Sequence, residues 1–249
     1  MNILIDLGNT RIKIALEDSA AINLIYSEKY TQHSLQEILS QVQGKISHLD
    51  VKSIYLSSVA GEATTKQIVD YFSTTLGVRV QKAVTPRKMS GLENAYSKPE
   101  SLGVDRWLAL IAALDLCKPP VCVVDCGTAI TIDTIDDKGM FIGGLIVPGL
   151  GLMRSALNKN ANAIGQYEQI EEKNYFPKNT VSAVIAGTGL SIAALIEKTM
   201  QHYEMTQAKK IVCVITGGDG EAIKSYLDIE SSYHPNLVLQ GLSKYFRSN

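Results

Sequence analysis

Asp6 ends an apolar run, Ile3-Leu4-Ile5, and is followed by Leu7-Gly8-Asn9-Thr10-Arg11-Ile12-Lys13. These residue types suit an anion site. Gly8 lets the backbone approach a bulky group. Asn9, Thr10 and exposed backbone N–H groups can donate to phosphate oxygens. Lys13 supplies a cation, and Asp6 at a strand end can hold a metal-bound water, as Mg²⁺-nucleotide sites require. The same residues also suit a plain hairpin turn, since Gly and Asn are ordinary turn residues. A second copy of the device tips the balance. Val121-Cys122-Val123-Val124 runs into Asp125-Cys126-Gly127-Thr128 and then into a return strand. A strand, an Asp, a Gly turn with a Thr and a return strand, used twice, suggest two related domains that clamp a polyphosphate.

Two other groups could do chemistry. Gly103-Val104-Asp105-Arg106 opens the very apolar stretch that runs to Leu116. Burying either charge is costly unless it is paired or used. Asp105 suits a helix N-terminus, where its charge favours the dipole, and position alone leans to that structural role. The functional alternative makes Asp105 a general base and Arg106 a partner for an acidic substrate. Thr216-Gly217-Gly218-Asp219-Gly220 follows a buried strand and suits either a phosphate-admitting turn or a tight strand–helix connection. A Walker A loop is excluded, because Ile223 stands where Gly is needed before Lys224-Ser225. No Gly-x-Gly-x-x-Gly follows a strand, which argues against a Rossmann dinucleotide site.

The elements that must position these groups follow from periodicity. Strands are expected at 3–5, 11–17, 53–59, 78–84, 121–124, 130–135, 141–147 and 211–215, and helices at 34–42, 65–76, 104–116, 150–161 and 236–246. A helix over 180–200 is expected to be interrupted at Gly187-Thr188-Gly189, and 85–103 and 165–177 are expected as loops. Cys117-Lys118-Pro119-Pro120 breaks the 104–116 helix and is the candidate boundary, giving domains 1–117 and 118–249.

Composition narrows the function. The 249 residues are 45% hydrophobic and 20% charged, ordinary for a soluble globular protein with one or two cores. A formal net charge of -1 offers no basic stripe for nucleic acid. The N-terminus lacks a basic n-region, and the apolar stretch 142–153 is too short to span a bilayer, so a cytoplasmic protein without a membrane partner is expected. Cys117, Cys122, Cys126 and Cys213 show no zinc spacing, and His33, His48, His202 and His234 are scattered. Reduced buried thiols are expected.

Asp6-x-Gly8-Asn9-Thr10-x-x-Lys13, Gly91-Leu92-x-Asn94-Ala95-Tyr96, Pro99-x-x-Leu102-Gly103-Val104-Asp105-Arg106-Trp107, Asp125-x-Gly127-Thr128, Gly143-Gly144-x-Ile146-x-Pro148-Gly149 and Asn179-Thr180 occur in this order. The set resembles type III pantothenate kinases over nearly the whole chain, from residue 2 to about 242. The resemblance implies an α/β architecture of two duplicated actin-like ribonuclease H fold domains facing an ATP cleft. It implies ATP-dependent phosphorylation of pantothenate to 4'-phosphopantothenate, the first step of coenzyme A biosynthesis. ATP would lie against Asp6, Leu7, Gly8, Asn9, Thr10, Arg11, Ile12, Lys13 and Thr128. Pantothenate would meet Tyr96, Gly103, Val104, Asp105, Arg106 and Thr180, with Asp105 as proton acceptor. Asp125 would hold a monovalent cation, K⁺ or NH₄⁺, and Mg²⁺ would come with ATP. Thr180 would reach pantothenate across a homodimer interface. A regulatory accessory factor on the same fold is the alternative, and the presence of both Asp105 and Asp125 weighs against it.

Overall fold

Every second residue of the opening run faces apolar neighbours. Ile3 and Ile5 join a core with Ile12, Ile14, Ile54 and Leu56, as the period of a strand dictates. The computed structural model describes residues 1–19, 21–31, 34–160 and 173–248. The chain divides into two units, Met1–Ala112 with Leu237–Asn249, and Ala113–Asn236.

In the first unit, β1 (Asn2–Leu7), β2 (Arg11–Asp18) and β3 (Ala21–Lys29) form an antiparallel meander. Helix α1 (Leu35–Ile46) leads to β4 (Ser53–Ser58), parallel to β1, and α2 (Glu62–Leu76) leads to β5 (Val80–Lys82), parallel to β4. The sheet order is β3-β2-β1-β4-β5. Leu35, Ile38, Leu39, Val42 and Ile46 of α1, at helical spacing, cover this sheet together with Ile68 and Phe72 of α2. Gly77 ends α2 in the left-handed conformation at φ 66, as expected of a glycine stop. A small hairpin, β6 (Lys88–Met89) with β7 (Leu92–Asn94), and a 3₁₀ turn, Pro99–Ser101, occupy the stretch expected as a loop. Helix α3 (Val104–Leu116) follows, and Trp107, Leu108, Leu110, Ile111 and Ala113 are all fully buried. A helix apolar on every face must be buried on every face.

The second unit repeats the scheme. Strands β8 (Val121–Cys126), β9 (Ala129–Ile135) and β10 (Met140–Pro148) are antiparallel neighbours. Helices α4 (Leu150–Asn160) and α5 (Thr180–Gln207) precede β11 (Val212–Thr216), parallel to β8. The short α6 (Gly220–Lys224) precedes β12 (Ser231–Tyr233), parallel to β11. These strands lie in the order β12-β11-β8-β9-β10, the order of the first unit with each strand replaced by its counterpart. The duplication expected from the two Asp-Gly turns therefore extends to five strands of each sheet.

Several expectations are corrected. β3 and β12 stand where no strand was expected, and α5 runs unbroken through Gly187 and Gly189. A Cβ at Gly189 would lie 2.6 Å from the Tyr226 ring, so close packing there outweighs the roughly 1 kcal/mol that glycine costs a helix. The α5 helix is long and apolar enough to cross a membrane by length and composition. Its Ile192, Ile196, Met200 and Tyr203 are instead spent in the core against Cys122, Val124 and Ile215. The loop expected over 165–177 falls largely on residues 161–172, outside the described residues.

The last helix, α7 (Leu237–Arg247), counts with the first unit rather than with the second, where the sequence boundary had placed it. Phe246 stacks on Tyr55 with ring centroids 4.2 Å apart. A Cβ at Gly241 would fall 1.9 Å from the Leu108 carbonyl oxygen, so α7 lies directly on the α3 backbone. Ser243 Oγ and Arg247 Nη2 (2.6 Å) donate to Oε1 of Glu17, and Asn2 Nδ2 donates to Oε2 at 2.8 Å. Glu17 is 3% exposed. Burial works to raise its pKa, but the hydrogen bonds from Asn2, Ser243 and Arg247, with the Arg247 charge, outweigh it and hold the carboxyl below its usual value.

A depressed folded-state pKa contributes stability above the unfolded value, lost as pH falls through the folded one. Glu17→Gln is expected to lower unfolding stability at pH 7 by about 1–3 kcal/mol, the cost of weakening charged hydrogen bonds. Urea unfolding of the two proteins should converge as pH falls below the carboxylate range. A gap that is constant from pH 7 to pH 3 would contradict the assignment.

Candidate functional site

Asp6 sits at the C-terminal end of the central strand β1, across from Lys13 in the antiparallel hairpin and from Ser57 in the parallel pair. The turn beyond it closes with the Gly8 N–H donating to the Arg11 carbonyl at 3.0 Å. Tyr30 pins it from the side: its hydroxyl donates to the Gly8 carbonyl at 2.7 Å, and its N–H to the Thr10 carbonyl at 3.0 Å. Burial pushes the Tyr30 phenol up, keeping it a donor. Arg11 is turned aside, with Nη1 donating to the carbonyl and hydroxyl of Ser27 at 3.3 Å. The side chains of Leu7 and Ile12 are fully buried in the core, so only their backbones can meet a nucleotide. Asn9 is exposed at the tip, and Asp6, Thr10 and Lys13 are half-buried.

The N-terminus of α3 belongs to the same end of the sheet. Val59 follows β4 and donates its N–H to the Leu7 carbonyl at 3.1 Å. A Cβ built on Gly103 would lie 3.7 Å from Val59 Cγ1 and 2.6 Å from Oδ1 of Asp105. Glycine at 103 therefore clears the space that the Asp105 carboxylate occupies beside the strand ends. That carboxylate accepts the N–H of Arg106 at 2.8 Å. Asp105 is half-buried, Val104 is buried, and Arg106 is 8% exposed. Tyr96 precedes this turn, with its N–H donating to Asn94 Oδ1 at 3.0 Å.

The second unit builds the equivalent feature from β8 and β11. Asp125 lies across from Thr131 in the hairpin and from Thr216 in the parallel pair. Gly127 closes the turn by donating its N–H to the Ala129 carbonyl at 3.1 Å. The Gly149 N–H donates to the Thr128 carbonyl at 2.9 Å, and a Cβ on Gly149 would lie 2.2 Å from the Gly127 carbonyl oxygen. The loop after β11 closes on the other side, with the Asp219 N–H donating to the Cys126 carbonyl at 3.0 Å. Gly217 adopts φ +91, and its Cβ would lie 2.4 Å from the Cys126 carbonyl oxygen and 2.5 Å from Oδ1 of Asp125. Burial, then the nearby charges of Asp125 and Asp219, push the Cys126 thiol far up. Burial also raises Cys122 and Cys213, so these thiols are inert core groups. Thr128 is exposed on the turn, and Thr180 is exposed at the start of α5, after Asn179, whose Oδ1 accepts the Ser182 N–H at 2.8 Å.

Three further residues emerge here. Ser57 and Thr216 hold matching places beside Asp6 and Asp125 and are 0% and 1% exposed, and Ser57 Oγ has no hydrogen-bond partner among the described residues. Asp219 brings a second carboxylate toward Cys126. Sequence alone offered a weak signal for Asp219, in its glycine-rich turn. Thr216 heads that same turn, but its place beside Asp125, like everything about Ser57, was hidden because strand register is non-local. Chemically, both Asp-bearing strand ends offer a carboxylate and a glycine turn, the means to meet a phosphate or a cation. The first also offers a carboxylate at a helix N-terminus, a position fit for a general base.

A sequence profile of the family described as type III pantothenate kinase matches residues 2–202. The type III pantothenate kinase of Nitrosococcus oceani is 31% identical over 249 residues, covering 98% of this chain and 93% of that protein. A crystal structure from Campylobacter jejuni, described as a putative Baf family transcriptional activator, superposes with a TM-score of 0.63 at 22% identity, covering 98% and 97% of the two chains. MreB 5 of Spiroplasma citri bound to AMPPNP superposes with a TM-score of 0.57 at 10% identity, covering 99% and 96%. These structural likenesses show the fold, a duplicated actin-like α/β architecture.

The glycine contacts predict a contrast between neighbours. Gly217→Ala forces a Cβ into backbone at a positive φ, whereas nothing lies within 4 Å of the corresponding position on Gly218. Gly217→Ala should cost at least about 1–3 kcal/mol, in line with overpacking in a closed site. Gly218→Ala should stay within about 0.5 kcal/mol, as for an open surface position. Thermal unfolding of both variants reads the difference, and equal midpoints would contradict the closed loop.

Proposed function

The chain belongs to the type III pantothenate kinase family, and we propose that it transfers the γ-phosphoryl group of ATP to the primary hydroxyl of pantothenate. The products are 4'-phosphopantothenate and ADP, at the first step of coenzyme A biosynthesis. The observation that supports this most directly is the placement of Asp105. Its carboxylate lies at the N-terminus of α3, in space left by the missing Cβ of Gly103, beside the strand end that carries Asp6.

In this reading Asp105 accepts the hydroxyl proton as the pantothenate oxygen attacks the γ-phosphorus and the bond to the bridging oxygen breaks. In phosphoryl transfer, positioning and charge stabilisation do most of the work. On the first unit, the backbone from Leu7 to Ile12 and the side chains of Asn9, Thr10 and Lys13 take phosphate oxygens, with Asp6 holding a metal-bound water. On the second unit, Thr128 is a nucleotide contact on its exposed turn. Tyr96, Gly103 and Val104 shape the pantothenate side, and the buried Arg106 takes the carboxylate or a phosphate, which guanidinium does bidentately. Asp125, with Asp219 near it, fits a monovalent cation. K⁺ or NH₄⁺ held there, and Mg²⁺ brought with ATP, would offset triphosphate charge. The chain acts as a homodimer, with the exposed Thr180 of one protomer reaching the pantothenate of its partner. It works in the cytoplasm without nucleic acid or membrane.

Pantothenate phosphorylation by the purified protein, compared in K⁺ and Na⁺ buffers, tests substrate and cation together. Turnover that depends on K⁺ is expected. Equal rates in the two buffers would remove the cation from Asp125, and no turnover in either, from folded ATP-binding protein, would overturn the substrate. Gly103→Ala tests the base more finely. Among the described residues the atom nearest the new methyl is Oδ1 of Asp105, the end of a side chain that can shift, with Val59 Cγ1 next at 3.7 Å, so unfolding stability should hardly change. Misplacing the carboxylate by about 1 Å should lower kcat roughly 10–100-fold. A kcat within twofold of the parent would contradict the assignment.

A further inference from the structure

Residues 85–103 bear Tyr96 and Gly103, yet within them only β6, β7 and one 3₁₀ turn are regular. Backbone groups outside a ladder must find other partners. Here a single side chain supplies many of them. Arg87 Nη1 donates to the carbonyls of Asn94 at 2.6 Å and Tyr96 at 2.7 Å, and Nη2 donates to the carbonyl of Ser97 at 3.0 Å. The Arg87 carbonyl in turn accepts the Asn94 N–H at 2.9 Å. Asn94 is 1% exposed. Its Oδ1 accepts the Tyr96 N–H, and its Nδ2 donates to the Pro99 carbonyl at 3.3 Å. The Tyr96 peptide groups are thus held on both sides, the N–H by Asn94 and the carbonyl by Arg87.

Charge-assisted hydrogen bonds are about twice as strong as neutral ones. The planar guanidinium also fixes several acceptors at set angles, which an ammonium on a flexible stem cannot do. A cation spent on three consecutive-region carbonyls defines a backbone path rather than an ion pair. We propose that Arg87 is a positioning residue for the acceptor substrate: it holds the 94–97 backbone so that Tyr96 is placed to bind pantothenate. This rests on the reading that Tyr96 contacts pantothenate.

The test compares Arg87→Ala, Arg87→Lys and Tyr96→Ala with the parent. It reads the KM for pantothenate, the KM for ATP, kcat, and amide hydrogen exchange over 92–98. Arg87→Ala should raise the pantothenate KM about tenfold or more, as expected for a misplaced binding group. The ATP KM should stay within about twofold in the same variant, because the nucleotide contacts lie elsewhere. Amides of 96–98 should exchange faster, and Arg87→Lys should recover only a minor part of both effects. If Arg87→Ala does not fold, the same KM split and exchange pattern in Arg87→Lys decide the matter. Unchanged pantothenate KM in the Arg87 variants but not in Tyr96→Ala would overturn the role of Arg87 alone. Unchanged KM in all of them would overturn the substrate reading of the loop and the proposal with it. A parallel loss in both KM values, or full rescue by lysine, would also overturn it.

Discussion

The register of one parallel strand pair in each unit is the constraint on which the rest of the molecule depends. β1 with β4 sets Asp6 beside Ser57, and β8 with β11 sets Asp125 beside Thr216. A one-residue slip would turn each carboxylate to the opposite face of its sheet. Tight packing on both faces opposes the slip: Ile3, Leu4, Ile5, Ile54 and Leu56 are fully buried in the first unit, as are Val121, Cys122, Val124 and Ile215 in the second. The placement of both carboxylates thus rests on packing several residues away.

Helix α3 adds the third component to the first unit. Because it is buried on all sides from Arg106 to Ala113, its axis is fixed, and its first turn presents Asp105 at a constant place beside Val59. Helix α7 stabilises that arrangement from behind. It lies on the Leu108 backbone through Gly241 and is anchored through Ser243 and Arg247 to Glu17. Chain order makes this unexpected, since the segment that holds the first unit's long apolar helix follows the whole of the second unit in sequence. Close approach without a Cβ recurs at Gly103, Gly149 and Gly217, each time against a carboxylate or the turn after one.

Much of this was legible in the sequence. The Asp6 and Asp125 turns announced the duplication because both the apolar strand and its polar turn are local features. The helix 104–116 was plain because thirteen residues without a polar face leave few alternatives. β3 was not legible: its burial follows no alternation, and among its residues only Tyr26 is buried. β12 is a polar three-residue strand added to an edge, below any periodicity. Glycines in α5 misled because their packing reason, the Tyr226 ring, is distant in sequence. At the site, the types of Asp105 and Arg106 were readable, but not the room made by Gly103. Ser57, Thr216 and the Arg87 network depend on register and loop path, which no short window contains.

In the proposed reaction the Asp105 carboxylate, held at the start of α3, takes the proton from pantothenate. The most direct measurement is the steady-state rate of pantothenate phosphorylation by Asp105→Asn, with ATP affinity measured on the same protein. The substitution keeps shape and removes basicity. The account predicts a loss of about 10²–10⁴-fold in kcat, the usual contribution of a general base, with ATP affinity unchanged. A variant that turns over pantothenate within a few-fold of the parent rate would contradict it.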